Sequence, residues 1–190
     1  MNVILASASP RRQELIKRIF SDFTVYPADI DETIPDDIGP EFAPVFLAAQ
    51  KAEAVAEKFP NDLIISADTI VLLNGEVLGK PINDEDAFST LKKLSGKTHK
   101  VITGCCVSMG NESVCFAEES LVTFFPLTDD EIWNYVNSGE AKGKAGSYGI
   151  QDTGALFVEK IDGDFYNIVG LPIAKLKREI DALLKNHSAN

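Results

Sequence analysis

Residues 3–12 run Val-Ile-Leu-Ala-Ser-Ala-Ser-Pro-Arg-Arg: an apolar stretch, small hydroxyl residues, a proline and two adjacent arginines. The pattern predicts a buried strand that turns directly into a helix. Ser9 suits the N-cap and Pro10 the first helical position, where its missing N–H costs nothing. A helix start presents unpaired N–H groups and the positive end of the dipole. Two guanidiniums, Arg11 and Arg12, are ordinarily out of place there. A bound phosphate would resolve that conflict; two solvated arginines are the plainer alternative.

A second signal is Asp68, which interrupts the apolar run Leu63–Leu73. A carboxylate on a buried strand is costly unless it is paired, hydrogen-bonded or on a metal. It marks a site or caps a local backbone turn. One hairpin later comes Leu78-Gly79-Lys80-Pro81. Antiparallel pairing around Asn74-Gly75 would bring Lys80 near Thr69 or Asp68. Lys51 is flanked by alanines on a predicted helix, and either points into a cleft or lies on a solvated face. Asp31 and Glu32 lie in an acidic, proline-punctuated loop over 27–41. Beside arginines and phosphate, such carboxylates suit a magnesium-type cation; otherwise the loop is simply solvated. Residues 143–151 combine glycines with Lys144, Tyr148 and Gln151, but lack the Gly-x-Gly-x-x-Gly fingerprint. The Gln151 amide could read a base edge or satisfy a buried loop. Gly96-Lys97-Thr98 is no Walker A loop, because Leu91 stands where glycine is needed. No Gly-x-Ser-x-Gly elbow occurs.

These residues need a scaffold. Strands are predicted near 2–6, 23–26, 63–72, 76–79, 99–109, 113–125, 155–160 and 165–169. Helices are predicted near 10–20, 40–58, 84–95, 128–138 and 172–186. Asn74-Gly75 and Asp162-Gly163 read as hairpin turns, and Gly110-Asn111 as a weaker one. Strand–helix alternation followed by longer hairpins implies an α/β fold: a mixed twisted sheet with covering helices. A length of 190 residues suits one domain, 1–190, with two lobes around a cleft. The 45% hydrophobic fraction supports a real core. The formal net charge of −11 argues against polymeric nucleic acid as a partner. No apolar run of about 18 residues predicts a membrane span. Cys105, Cys106 and Cys115 are odd in number and include no Cys-x-x-Cys, so no disulfide framework is expected, a reducing compartment is, and the three read as small, partly buried strand residues with free thiols.

Taken in order, the segments resemble the Maf family of nucleotide pyrophosphatases. The matching stretches are Ser7-Ala8-Ser9-Pro10-Arg11-Arg12, Glu32, Lys51-Ala52, Ser66-Ala67-Asp68-Thr69, Gly79-Lys80-Pro81, Leu94-Ser95-Gly96, Ser138-Gly139-Glu140, Lys144-Ala145-Gly146, Tyr148-Gly149-Ile150-Gln151 and Val169-Gly170-Leu171-Pro172. The resemblance implies a fold similar to inosine triphosphate pyrophosphatases and a cytoplasmic, often dimeric protein. It implies hydrolysis of a nucleoside triphosphate to monophosphate and pyrophosphate with Mg2+ or Mn2+. By the same resemblance Asp68 accepts a proton. Read together with the residues themselves, Glu32, with Asp68 as a second ligand, is expected to hold the metal, and the following roles are expected likewise. Ser7, Ser9, Arg11, Arg12, Lys51, Lys80 and Lys144 meet the substrate, and Thr69 and Gln151 help select its base. Arg11, Thr69 and Gln151 match the dTTP/UTP type. The 7-methyl-GTP type carries Tyr, Gln and Glu at those positions. Two departures touch a site loop: Gly143 stands where the family commonly has an acidic residue, and Asp152 where it commonly has glycine. Relatives have also been linked to restraint of septum formation, which leaves a protein-binding role as the competing class.

Overall fold

Val3–Leu5 (β1) is buried along its whole length, as expected for an apolar strand covered on both faces. In the computed structural model, which describes residues 1–189, β1 pairs in parallel with Thr24–Val25 (β2) on one side and Leu63–Leu73 (β3) on the other. Pro10–Ile16 (α1) starts as the sequence predicts, with Ser9 as N-cap and Pro10 in the first turn. It ends four residues sooner than expected. Ala43–Ala56 (α2) lies between β2 and β3 in the chain, the crossover that parallel strands need.

β3 turns at Asn74-Gly75, both with positive φ (52° and 86°), into Glu76–Leu78 (β4). Positive φ at both central residues defines the primed hairpin turn, which Asn-Gly tolerates well. Asp84–Leu94 (α3) is capped by Asn83, with acidic residues in its first turn and lysines in its last, matching the helix dipole. Thr98–Met109 (β5) and Glu112–Phe124 (β6) flank Gly110-Asn111. Asp129–Asn137 (α4) opens on a capping box of Thr128 and Glu131. Val158–Asp162 (β7) pairs antiparallel with β6. Phe165–Val169 (α5) and Ile173–Ala189 (α6) follow. The sheet order is β2-β1-β3-β5-β6-β7, with β4 on β3. The expected mixed sheet with helices is what forms.

The chain divides into two compact units: 1–68, 103–118 and 170–190 form the first, and 69–102 with 119–169 form the second. In the first, Ile4, Ala6 and Ile64 pack with Ala48, Ala52 and Val55 of α2 and with Cys106. In the second, Phe124 is fully buried and meets the rings of His99, Tyr148 and Phe157 edge-on.

Two expectations are corrected. Residues 165–169 are helical, not a strand. Their aromatic and β-branched content favours a strand, but the Asp164 carboxylate accepts from Tyr166 N at 2.8 Å. Buried Asn167 donates to Val101 O and Ser120 Oγ. Tertiary hydrogen bonds thus override a weak propensity. Cys106 and Cys115 are not free thiols but a disulfide. The turn at 110–111 sets β5 beside β6 and brings the two Cα atoms to 4.1 Å, the pairing that the expected hairpin implies, since both cysteines lie equally far from its turn. Cysteine usage therefore gives no argument for a reducing compartment. Cys105 is free and buried, and burial pushes its thiol up to about 12, which keeps it unreactive. Among the described residues no helix is long and apolar enough to cross a membrane.

Candidate active site

The first unit assembles a cluster around Asp68. β3 is buried through Ala67, and the Asp68 side chain remains 17% exposed. Ser66 fixes the strand just before it: its hydroxyl donates to Ala48 O of α2 at 2.6 Å. Ala48 and Ala52 are buried with almost no exposed surface. Their small side chains let α2 sit close to the sheet. One helical turn along, Lys51 reaches back to β3. Its Nζ lies 2.7 Å from Asp68 Oδ1 and 2.7 Å from Glu32 Oε1. Lys51 is therefore not on a solvated face. Two carboxylates, one from a strand and one from the acidic loop, converge on a single cationic centre.

Arg12 approaches the same strand from α1. Its Nε donates to Gly170 O at 2.8 Å. Its Nη1 donates to Ala67 O at 2.8 Å and to Ser7 Oγ at 3.2 Å. Burial lowers the Arg12 pKa, with the Asp68 charge opposing that shift. The guanidinium thus grips the carbonyl immediately before Asp68 while leaving positive charge at the α1 start. Ser7 Oγ also accepts from Ser9 N at 3.3 Å, and Ser9 Oγ accepts from Arg12 N. Arg11 is partly exposed in the same turn.

The second unit holds Thr69, Lys80, Lys144 and Gln151. Thr69 is half-buried, whereas Lys80 and Gln151 are exposed. Lys144 is buried and pairs with Asp152 Oδ2 at 3.1 Å. Gly146 N donates to Gly79 O at 3.1 Å, which ties the Lys144 loop to the residue before Lys80. Gly149 N donates to Tyr135 Oη at 3.1 Å. Beneath the loop, Tyr148 Oη and His99 Nε2 lie 2.8 Å apart, both groups buried.

Sequence reasoning quoted Ser66 in a matching stretch without giving it a role, and missed Tyr135 and His99 as site residues. Ser66 had a signal, a hydroxyl two residues before Asp68 in an apolar run. Tyr135 and His99 had none, since their partners are distant in the chain.

His99 has a measurable consequence. It is 1% exposed, and burial pushes its pKa down to about 4. The unfolded chain binds that proton near 6.5. The neutral ring's contribution is therefore whole above about pH 6.5 and is lost as pH falls toward 4. The loss amounts to roughly 3 kcal/mol. Denaturant unfolding of the wild type should show this component between about pH 7 and pH 4, and His99→Gln should lack it. Equal losses for both proteins would show that His99 does not titrate this way.

The Maf-like protein profile matches residues 2–183. A dTTP/UTP pyrophosphatase of Carboxydothermus hydrogenoformans is 47% identical over 182 residues, covering 95% of this chain and 97% of its own. A dTTP/UTP pyrophosphatase of Pyrococcus furiosus is 48% identical over 179 residues, covering 94% of each chain. Among solved structures, a HAM1 protein from Coxiella burnetii aligns with a TM-score of 0.52 at 14% identity, over 96% of this chain and 99% of that one. The Staphylococcus aureus Ham1 protein aligns with a TM-score of 0.50 at 20% identity, over 65% and 72%. At these identities the two structural likenesses speak for the fold alone, and they agree with the expected architecture.

Proposed function

Since the chain belongs to the Maf-like protein family, we propose that it is a nucleoside triphosphate pyrophosphatase hydrolysing dTTP and UTP to the monophosphate and pyrophosphate. The observation that carries the chemistry is Asp68, a strand carboxylate meeting Lys51 at 2.7 Å. Asp68 accepts a proton from water as the water oxygen bonds to the α-phosphorus. The bridging bond from the α- to the β-phosphate breaks, and pyrophosphate leaves with the electron pair. Charge grows on the phosphoryl oxygens and the leaving group. Arg11, Arg12, Lys51, Lys80 and Lys144, with Ser7, Ser9 and the α1 start, supply the opposing positive charge and donors.

Glu32 and Asp68 are the residues that would hold Mg2+ or Mn2+. The fit rests on their convergence on one cationic centre, the Lys51 ammonium. Among the described residues there is no group of three or more His, Cys, Asp or Glu that could hold a metal. Two carboxylates suffice for a magnesium-type ion that takes its remaining oxygens from substrate phosphates and water. When bound, such an ion supplies neutralisation of phosphate charge. On this reading the enzyme works on free nucleotides in the cytoplasm, as a homodimer, and Arg11, Thr69 and Gln151 select the base. A site built on oriented polar groups rejects an ill-matched base because its own donors and acceptors go unpaired.

The test is pyrophosphate release from dTTP, UTP and 7-methyl-GTP, with magnesium and after chelation. We expect kcat/KM for the two pyrimidines to exceed that for the methylated purine by about tenfold or more. Chelation should abolish turnover, and magnesium or manganese should restore it. A preference for 7-methyl-GTP would overturn the base assignment, and full activity without metal would overturn the role of Glu32.

A further inference from the structure

We propose that Asp152 sets how tightly this protein grips a polyphosphate, by sharing the charge of Lys144. The inference rests on Lys144 being a phosphate-binding residue, as assigned above. Lys144 is placed by packing. Its side chain is 11% exposed and lies across Gly149, where an added Cβ would sit 2.8 Å from Nζ, 2.9 Å from Cε and 3.1 Å from Cδ. Gly149 is itself fixed through its N–H to Tyr135 Oη. The Lys144 carbonyl accepts from Ser147 N at 3.0 Å. Packing therefore holds the stem of the side chain, and Asp152 is the carboxylate partner of its ammonium.

Asp152 differs in kind. Its carboxylate is about half exposed, and one oxygen lies 3.1 Å from the ammonium. Its own main chain is anchored on the same loop, because Asp152 N donates to Gly149 O and Asp152 O accepts from Ala155 N. A mostly buried cation thus reaches solvent beside a more exposed anion, and the pair presents almost no net charge. An arriving polyphosphate meets a lysine already neutralised by one unit. Asp152 acts through Lys144 and is a positioning residue, not a catalytic one. It loosens the hold on phosphate, which eases the departure of a highly charged product.

The experiment is calorimetric binding of inorganic tripolyphosphate, with magnesium present, to the wild type, Asp152→Asn, Asp152→Glu, Lys144→Met and the Lys144→Met/Asp152→Asn double variant. Loss of one partly screened charge next to the site should tighten Asp152→Asn about fivefold at low salt. The gain should shrink as salt rises. Asp152→Glu should bind like the wild type. With Lys144 already replaced, Asp152→Asn should gain less than twofold. If the methionine variant does not fold, Lys144→Gln takes its place in the cycle. In turnover, KM for dTTP should fall with the binding constant, and the melting temperature of Asp152→Asn should fall as well, because a mostly buried ammonium loses its carboxylate.

Unchanged or weaker tripolyphosphate binding by Asp152→Asn overturns the inference. So does an equal gain in the Lys144→Met background, which would mean direct repulsion by Asp152. The two readings fail separately. A wild type that releases no pyrophosphate from dTTP or UTP, with Asp152→Asn still tightening tripolyphosphate through Lys144, removes the proposed function alone. An active wild type with an indifferent Asp152→Asn removes this inference alone.

Discussion

Asp68→Asn is expected to fold normally and to lose about 10²–10⁴ of its turnover, the usual cost of removing a general base. Asparagine keeps the shape and still offers Lys51 an acceptor, but its amide cannot take a proton from water. The fold should survive because Lys51 keeps its second carboxylate, Glu32, at 2.7 Å. No buried ammonium is left unpaired, which is the circumstance that makes breaking such pairs expensive. The measurement is kcat/KM for dTTP beside a thermal melt of the same sample. Near-normal turnover in a folded variant would take the base role away from Asp68.

Gly104→Ala is expected to be the most damaging single methyl group in the first unit. An added Cβ would lie 2.2 Å from Pro44 C, 2.3 Å from Val45 N and 2.4 Å from Pro44 O. All three are main-chain atoms in the first turn of α2, so no flexible side chain can swing aside. Relief requires moving the helix away from β5. We expect a loss of about 3 kcal/mol or more, read as a lower urea midpoint. α2 also carries Lys51, so the shift should reach the Lys51–Asp68 contact. Misplacement on the scale of an ångström is enough to cost large factors in rate. Turnover per folded molecule should therefore fall by about tenfold or more. Wild-type stability in this variant would mean that the first turn of α2 does not press against Gly104 of β5.

Features carried by local chemistry were legible in the sequence. Ser9 and Pro10 announce the start of α1, and Asn74-Gly75 announces its hairpin, because each rests on the φ preferences and hydrogen bonds of two or three adjacent residues. Asp68 was visible because one charge in an apolar run is locally anomalous. Lys51 was ambiguous, since its environment is made by Glu32 and Asp68, which only the folded chain brings to it. Arg12 illustrates the same boundary. Its place at the helix start could be read, whereas its grip on the carbonyls of Ala67 and Gly170 could not. Main-chain acceptors carry no sequence signature. The helix at 165–169 was missed for that reason too, since the Asn167 bond to Val101 O helps decide it. The Cys106–Cys115 bridge was within reach, because the expected 110–111 hairpin sets the two residues opposite each other.

The division into two units has a consequence for taking the molecule apart. Three of the four chain crossings fall inside strands: within β3 after Asp68, within β5 after Ile102 and within β6 after Glu118. The fourth follows the last residue of α5. A gene fragment encoding either unit alone would be assembled from separate pieces of chain, cut inside β3, β5 and β6. The units are thus not interchangeable cassettes. Recombination between relatives would have to exchange whole strands, and changes in one unit are inherited under the constraint that the shared strands still run true in the other.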